Sequence, residues 1–309
     1  MAGPLADTAM REAKNGRLIR RVALAAVATA AFLALAKAAA FLLTDSMAML
    51  GSLADSTLDI FASLVNLLAV RHALMPADRE HRFGHGKAEP LAGLAQGAFI
   101  GGSAVFLAIE AARRLFDPQP VLHGGVGLGV MALSIGLTLI LVFAQRQAVR
   151  RTGSLAINAD RAHYVSDILV NAGVIAGIVC ASTFGWTAAD PVMGLLIAGL
   201  IARTAWQVGM QSYDQLMDRE LPDADRERIK AIFHAHPGIH DIHDLRTRAA
   251  GTKSFIQVHV ELDPALSLSR AHDICDEAER RVRAAFPQAE VIIHQDLAGQ
   301  EKPGDLARS

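Results

Sequence analysis

The stretch SLADSTLDIFASLVNLLAV, residues 52–70, decides the fold, because it is apolar enough to cross a membrane and yet contains two aspartates. Asp55 and Asp59 are four positions apart, so a helix places both carboxylates on one face, one turn from each other. A charged side chain at the centre of a bilayer costs about 2.5–3.5 kcal/mol on insertion scales, and neighbouring carboxylates also repel each other. Ionisable groups at such positions point to a functional site.

The composition of the whole chain agrees with a membrane protein. Of its 309 residues, 52 % are hydrophobic and only 5 % are aromatic, and the mean hydropathy is positive. The formal net charge is −1, so no basic excess indicates a nucleic acid as partner. The two cysteines, Cys180 and Cys275, form no paired motif and predict neither a disulfide framework nor a zinc finger.

Six stretches are each long enough to span a bilayer, which takes about 20 mostly apolar residues. They lie at about 18–43, 47–70, 91–112, 121–144, 162–182 and 188–210. Thirteen lysines and arginines flank these spans on the side of the chain termini, against only Arg113 and Arg114 on the opposite side. The positive-inside rule then predicts that both termini lie in the cytoplasm.

After about Leu221 the chain has the character of a small soluble domain. Apolar residues recur at helical spacing within 222–238 and again between Leu268 and Phe286, with two strand patterns between them and a third strand at 290–296. The order αββαβ predicts a compact, ferredoxin-like α+β domain. The predicted division is a cytoplasmic N-terminal tail at 1–17, a six-span transmembrane domain at 18–215, a cytoplasmic metal-binding domain at 216–300 and a flexible tail at 301–309.

The fifth predicted span repeats the spacing of the second, since His163 and Asp167 are also four residues apart. Three carboxylates and one imidazole supply the oxygen and nitrogen donors that suit tetrahedral Zn²⁺, whereas an all-oxygen set favours Mg²⁺ or Mn²⁺. Such ligands bind metal only when deprotonated, so metal entry expels protons and proton entry expels metal. The pattern therefore predicts a divalent-cation site that is coupled to protons.

The same groups also admit a structural interpretation, in which they pair with buried bases such as Lys37 or Arg203, or line water. The weak similarity between the second and fifth spans favours a transporter. Two halves of three spans each would form inverted repeats, and secondary transporters place their sites at the interface of such repeats.

Several motifs together resemble the cation diffusion facilitator family, and most closely its bacterial zinc and ferrous-iron efflux subfamily. They are D-x-x-x-D on the second span, H-x-x-x-D on the fifth, FGHGKAE at residues 83–89, and an αββαβ pattern that ends in VIIHQD at residues 291–296. The resemblance covers about residues 16–296. It implies a homodimeric zinc/proton antiporter in the bacterial inner membrane that moves metal out of the cytoplasm. The ligand set also tolerates Fe²⁺, Cd²⁺ and Co²⁺, so the sequence leaves these ions open as alternative cargo.

The resemblance also implies three Zn²⁺ sites and one interface pair. The implied transport site consists of Asp55, Asp59, His163 and Asp167. The implied loop site consists of Asp78, His81 and His85. The implied cytoplasmic binuclear site consists of His243, His259, His272, His294 and Asp296. The implied pair at the dimer interface is Lys87 with Asp218.

One residue departs from the family's pattern. Arg79 stands beside the implied loop site, at a position that is acidic in the close subfamily. A nearby cation weakens Zn²⁺ binding electrostatically. Gly84 and Gly86 favour a turn in the same segment, so the structural alternative to a metal site is a tight hairpin between two spans.

Seven of the twelve histidines follow Leu221, and without the resemblance most of them would be ordinary surface residues. Spacing distinguishes some of them: His294 shares a strand face with Asp296, and His259 lies on the polar face of its own strand. His234, His236 and His240 have no assigned counterpart in the family, and we interpret them as solvated side chains.

Three classes of function can be compared on these grounds. A divalent-metal antiporter needs all of the predicted sites. A membrane-embedded zinc sensor without transport would use the cytoplasmic cluster but would not need the intramembrane one. A membrane metalloenzyme would need a motif such as H-E-x-x-H, which the sequence lacks, so we do not expect an enzyme.

Overall fold

The computed structural model describes residues 4–44, 47–116, 125–184 and 189–299. Six long helices come first: α1 (Pro4–Thr44), α2 (Met47–Ala73), α3 (Ala88–Phe116), α4 (Gly125–Thr152), α5 (Leu155–Phe184) and α6 (Ala189–Leu216). Among the described residues, five segments are long and apolar enough to cross a membrane: 13–43, 52–73, 88–116, 129–152 and 191–216. The predicted helical membrane domain is therefore confirmed.

The remaining predicted span, 162–182, lies within α5, a helix of 30 residues in which several side chains fall outside the described part of the chain. Positions 121–124 and 188 of two other predicted spans, and the predicted tail at 301–309, also lie outside it. Helix α1 begins at Pro4, so most of the segment predicted as an N-terminal tail is helical. Proline suits the first position of a helix, because its fixed φ is helical and because an N–H group at this position would have no acceptor within the helix.

Small residues allow some of the spanning helices to approach closely. A Cβ atom on Gly97 of α3 would lie 3.3 Å from the backbone nitrogen of Gly209 and 3.4 Å from the carbonyl oxygen of Ala205, both on α6. Within a bilayer, helices associate through such close contacts, since lipid tails are as apolar as the side chains. The absence of a side chain at Gly97 therefore allows α3 to pack closely against α6.

The C-terminal part of the chain confirms the predicted αββαβ order. Its elements are α7 (Asp223–His234), β1 (Asp241–Ala250), β2 (Lys253–Leu262), α8 (Leu268–Ala285) and β3 (Ala289–Leu297). The strands form one sheet in the order β1, β2, β3, with β1 antiparallel and β3 parallel to β2. The parallel pair is joined through α8, as a parallel connection requires.

The two faces of this sheet differ in polarity because side chains alternate along each strand. Ile256, Val258 and Val260 of β2 are buried in a core that also contains the apolar face of α8. Gln257 and His259 point the other way and are more exposed. The pairing register places His243 of β1 opposite His259 of β2, and His259 opposite His294 of β3. Three histidines therefore form a row across the polar face.

We expect Gly97→Leu to lower the stability of the membrane domain by about 1–3 kcal/mol, the usual cost of overpacking a close contact. Gly102→Leu on the same helix is the matched control, because no heavy atom of the described chain lies within 4 Å of its Cβ position. Thermal unfolding of the full chain in detergent, followed by tryptophan fluorescence, measures both. Equal melting temperatures for the two variants would contradict the close contact.

Candidate metal centres

The first cluster joins helices α2 and α5 inside the membrane domain. Nε2 of His163 lies 3.1 Å from Oδ1 of Asp59 and 3.8 Å from Oδ2 of Asp167. One potential ligand atom from each residue lies within 4.8 Å of the other two. The side chain of His163 is only 8 % exposed, and the carboxylates of Asp59 and Asp167 are 22 % and 34 % exposed. The structure thus brings together three of the four residues of the implied transport site.

Asp55, the fourth residue, is exposed on α2 and does not belong to this cluster. The lysine that could have paired with the carboxylates instead contacts two serines of α2. Nζ of Lys37 donates to Oγ of Ser56 at 2.7 Å and to the carbonyl oxygen of Ser52 at 3.2 Å. Arg203 is exposed on α6. Neither base forms an ion pair with Asp59 or Asp167 in the described part of the chain, although Lys37 lies near enough to act on Asp167 electrostatically.

A buried tyrosine beside the cluster was missed in the sequence. The hydroxyl of Tyr164 lies 2.8 Å from Oγ of Ser63 on α2 and donates to the carbonyl oxygen of Ala26 on α1 at 3.2 Å. Tyr164 therefore ties α5 to two other helices at the level of His163. Its position next to His163 was visible, but the sequence could not show that its hydroxyl faces α1 and α2 rather than lipid.

The second cluster lies in the loop between α2 and α3. Oδ1 of Asp78 is 3.4 Å from Nδ1 of His81, and Oδ2 of Asp78 is 3.4 Å from Nε2 of His85. Gly84 has a φ of 79°, which lets the chain turn between the two histidines, and its N–H donates to the carbonyl oxygen of His81. The predicted hairpin and the predicted ligand cluster are thus the same local structure.

Backbone hydrogen bonds hold the carboxylate of this loop in place. Oδ1 of Asp78 accepts from the N–H groups of His81 at 2.6 Å and Glu80 at 2.9 Å. The bond from His81 is the main cause that lowers the pKa of Asp78 below its ordinary value. Asp78 therefore stays ionised, as a metal ligand must. The ring of His72 at the end of α2 lies edge-on to His85 with 4.6 Å between the ring centroids, a contact that sequence reasoning missed.

The third cluster lies on the polar face of the C-terminal sheet. Oδ2 of Asp296 is 2.7 Å from Nδ1 of His259 and 3.3 Å from Nε2 of His243. Oδ1 of the same carboxylate is 3.4 Å from Nε2 of His294, whose ring is 4.6 Å from that of His259. One carboxylate thus contacts the whole row of three histidines.

His272, the fifth residue of the implied cytoplasmic site, lies outside this cluster on α8. Its Nε2 is 3.6 Å from Oδ2 of Asp276, one turn further along the helix. Two acidic residues that the sequence did not single out lie near the row instead. Oε1 of Glu261 is 3.4 Å from Nδ1 of His243, and Oδ2 of Asp244 is 3.9 Å from Nε2 of His259. The alternation that exposed His259 also placed Glu261 on the same face, which was the available signal.

The implied interface pair, Lys87 and Asp218, involves two chains, so one chain does not test it. Lys87 is half-buried just before α3. Asp218 follows α6 with a φ of 55°, and its Oδ1 accepts from Nη1 of Arg248 at 3.3 Å.

Each cluster has the chemistry of a divalent-cation site. Imidazole nitrogen and carboxylate oxygen are the usual protein ligands of Zn²⁺, and three of them leave a fourth tetrahedral position for water or another ligand. The separations between carboxylate oxygen and imidazole nitrogen given above, 2.7–3.8 Å, are of the size expected for ligands about 2.0–2.2 Å from one shared ion.

The sequence matches two family models that together cover most of the chain. One describes the cation efflux transmembrane domain and matches residues 23–217. The other describes the cytoplasmic domain of cation efflux proteins and matches residues 221–298.

Individual proteins match over comparable lengths. The cation-efflux pump FieF of Shewanella oneidensis is 48 % identical over 272 residues, which cover 88 % of this chain and 92 % of that protein. FieF of Salmonella paratyphi A is 46 % identical over 281 residues, covering 91 % of this chain and 93 % of that protein. Among solved structures, the Zn form of CzrB is 36 % identical and aligns with 28 % of this chain and 98 % of its own, with a TM-score of 0.26.

Arg79 provides a test of the loop cluster. We expect Arg79→Asp to tighten Zn²⁺ binding at Asp78, His81 and His85 by about two- to fivefold, because it removes an exposed positive charge beside the ligands. The gain should shrink at high ionic strength, since exposed charges are screened. Isothermal titration of the full chain with Zn²⁺, in a background with His163→Ala and His259→Ala, measures it. A gain that is independent of salt would contradict an electrostatic cause.

His259 provides a test of the cluster on the C-terminal sheet, which consists of His243, His259, His294 and Asp296 and is called the sheet cluster below. We expect His259→Ala to weaken Zn²⁺ binding there by more than about tenfold, because losing a ligand costs more than losing an outer-shell partner. His234→Ala is the matched control: the side chain of this histidine is half-exposed, its Nδ1 lies 3.8 Å from Oδ1 of Asp241, and it belongs to no metal cluster among the described residues. Zn²⁺ titration of the full chain with His85→Ala and His163→Ala measures both. An equal loss of Zn²⁺ affinity in the two variants would show that the sheet cluster is not a Zn²⁺ site.

Proposed function

Because the chain belongs to the cation efflux family, also called the cation diffusion facilitators, we propose that it is a proton-coupled antiporter that exports divalent metal ions, chiefly Zn²⁺, from the cytoplasm. Cation efflux is the activity that its relatives are named for. The choice of Zn²⁺, the exchange for protons and the roles of individual residues are the further content of this proposal.

The observation that carries the proposal is the contact between Asp59 on α2 and His163 on α5, with Asp167 beside them. These groups lie on helices that are otherwise largely apolar, where an ionisable side chain is retained for a function. They come from two different spans, so a relative movement of α2 and α5 would open or close the cluster. A transporter that alternates between two sides of a membrane needs a site of this kind.

Proton coupling follows from the ligand chemistry. A metal ion binds the deprotonated forms of imidazole and carboxylate, so protons and metal compete for the same atoms. The imidazole of His163 and the carboxylates of Asp59 and Asp167 can each take up a proton in place of metal, which makes the cluster suitable for the exchange. An inward proton gradient would then displace metal on the outer side of the membrane.

The orientation rests on the distribution of positive charge. Lysine and arginine are concentrated at the ends of the spans on the side of both termini, which the positive-inside rule assigns to the cytoplasm. We therefore propose a multi-pass protein of the bacterial inner membrane, with the domain at 216–300 in the cytoplasm. In this orientation the loop cluster of Asp78, His81 and His85 also faces the cytoplasm.

The unit that transports is proposed to be a homodimer, with Lys87 and Asp218 as a pair at its interface. The family model of the cytoplasmic domain is named for dimerisation, which supports this assembly. Zn²⁺ at the sheet cluster would bind some relative positions of the two cytoplasmic domains better than others. A bound ion shifts such an equilibrium only by its difference in affinity for the two states. His272, which lies outside the cluster of its own chain, would reach metal only in such an assembly.

A zinc sensor without transport is the second candidate. The row of three histidines around Asp296 favours it, because this cluster is complete without the membrane domain. The cluster on α2 and α5 favours transport, since a sensor of this kind has no use for it.

We expect Asp59→Ala to abolish zinc flux into proteoliposomes that is driven by an imposed pH gradient and reported by a trapped zinc dye. The variant removes one of the three ligands for which Zn²⁺ and protons are proposed to compete. Glu110→Gln is the matched control: it changes a carboxylate of α3 that contacts Arg114 at 3.0 Å and belongs to no metal cluster.

Either outcome separates the two candidates. Flux that depends on the gradient, persists in Glu110→Gln and disappears in Asp59→Ala supports the antiporter. Absence of flux in the unaltered chain, with Zn²⁺ still bound by the sheet cluster, would replace it with the sensor.

A further inference from the structure

A completely buried carboxylate of the membrane domain belongs to none of the three clusters. Asp160 on α5 lies one turn before His163 and is completely buried. Its Oδ2 accepts from Nε2 of Gln145 on α4 at 2.7 Å, and its Oδ1 accepts from Nε2 of Gln96 on α3 at 3.4 Å. Both glutamines are as deeply buried as the aspartate. Burying three such polar groups in a membrane domain costs free energy, which the hydrogen bonds between them offset only in part. Groups retained at this cost indicate a function.

These bonds connect four helices next to the proposed transport site. Nε2 of Gln96 also donates to the carbonyl oxygen of Ala62 on α2 at 3.2 Å. Ala62 follows Asp59 by three residues, and Asp160 precedes His163 by three residues. Gln96 and Asp160 therefore join α2 to α5 one turn away from the contact between Asp59 and His163.

We propose that Asp160 is a positioning residue, which holds α5 against α2 so that His163 and Asp59 keep the separation needed to bind a metal ion together. This inference rests on the proposed function and deepens it. Asp160 acts through the two helices and not as a ligand, because both of its carboxylate oxygens accept from amide groups and it belongs to none of the metal clusters among the described residues. A carboxyl group suits this role, since its two oxygens can each accept a hydrogen bond from one glutamine at the same time.

The structure also indicates which replacement should preserve the connection. The Oε1 atoms of Gln96 and Gln145 are buried without a hydrogen-bond partner among the described residues. Asparagine at position 160 would offer one acceptor and one donor, and rotation of the Gln145 amide would present its free oxygen to that donor. Leucine has the same number and branching of side-chain heavy atoms as asparagine, with methyl groups in place of the polar ones, and can form neither bond. The pair Asp160→Asn and Asp160→Leu therefore compares a side chain that keeps hydrogen bonds with one of the same branching that loses them.

The test uses the full chain in lipid nanodiscs, with His85→Ala and His259→Ala so that the loop and sheet clusters each lack a ligand. Zn²⁺ is titrated against a competing fluorescent chelator, and the KM and kcat of zinc flux are measured in proteoliposomes. We expect Asp160→Leu to raise the Kd and KM about 10- to 100-fold, the range found when a group that orients metal ligands is lost. We expect Asp160→Asn to stay within about threefold of the parent chain, the scale of one altered neutral hydrogen bond.

Ser154→Ala is the matched control for a merely structural effect. Oγ of Ser154 donates to Oε2 of Glu89 at 2.8 Å, so this variant also removes a buried hydrogen bond between α5 and α3, but at the start of α5. It should lower the melting temperature and leave the Kd unchanged. If Asp160→Leu does not fold, Gln96→Leu removes the two hydrogen bonds that connect Asp160 to α2 and should raise the Kd by about threefold or more.

Several outcomes would overturn the inference. They are an unchanged Kd in Asp160→Leu, an unchanged Kd in Gln96→Leu if that variant has to replace it, equal losses in Asp160→Asn and Asp160→Leu, and an equal loss in Ser154→Ala. Failure of the proposed function is distinguishable from these. In that case the parent chain would bind Zn²⁺ no better than its Asp59→Ala variant, and the positioning role would be lost with the site.

Discussion

A polar side chain within a bilayer needs a partner from the protein, because the hydrocarbon cannot replace the water it has lost. The helices of this chain supply such partners to one another. His163 on α5 contacts Asp59 on α2, Tyr164 bonds to Ser63 on α2, and Lys37 on α1 donates to Ser56. Lipid gives apolar helix faces little reason to prefer one neighbour over another. The polar contacts therefore decide which faces of α1, α2 and α5 meet, and apolar residues fill the space around them.

The helices and strands were well predicted, because the apolar runs of spanning helices and the two-residue alternation of strands are both local patterns. Long apolar runs gave the spans, and period-two alternation gave β2 with Ile256 and Val258 buried and His259 on the other face. The sites were only partly predictable, since spacing along one helix determines which residues share a face but not what lies opposite. Asp55 and Asp59 have the same spacing as His163 and Asp167. Both residues of the second pair belong to the cluster, but of the first pair only Asp59 does.

Contacts between elements account for the residues that were missed. Asp160 is one turn from His163, but its role depends on Gln96 and Gln145, which come from two other helices. The row of histidines depends on the register between strands, which no single strand pattern contains. Glu261 enters the surroundings of this row through its contact with His243.

The numbers of acidic and neutral ligands differ between the membrane and the aqueous clusters, and their surroundings explain why. Among the predicted ligands, Asp78 and Asp296 are single carboxylates beside two or three histidines, at sites that water screens, and Glu261 and Asp244 lie near the second of these sites. The membrane cluster has the opposite composition, with His163 between Asp59 and Asp167. Two ionised carboxylates and a neutral imidazole cancel the charge of a divalent ion, which avoids the large cost of a net charge in a medium of low dielectric constant.

In the proposed antiport, this balance would also link release to protons. When the ion leaves, two carboxylates would remain close together in surroundings that solvate their charge poorly. Protons on the same atoms would restore neutrality without another metal ion. The donor set that would make binding tolerable in the membrane would therefore also make departure of the metal depend on the arrival of protons. The charges of Asp59 and Asp167 thus favour the proposed exchange over simple leakage.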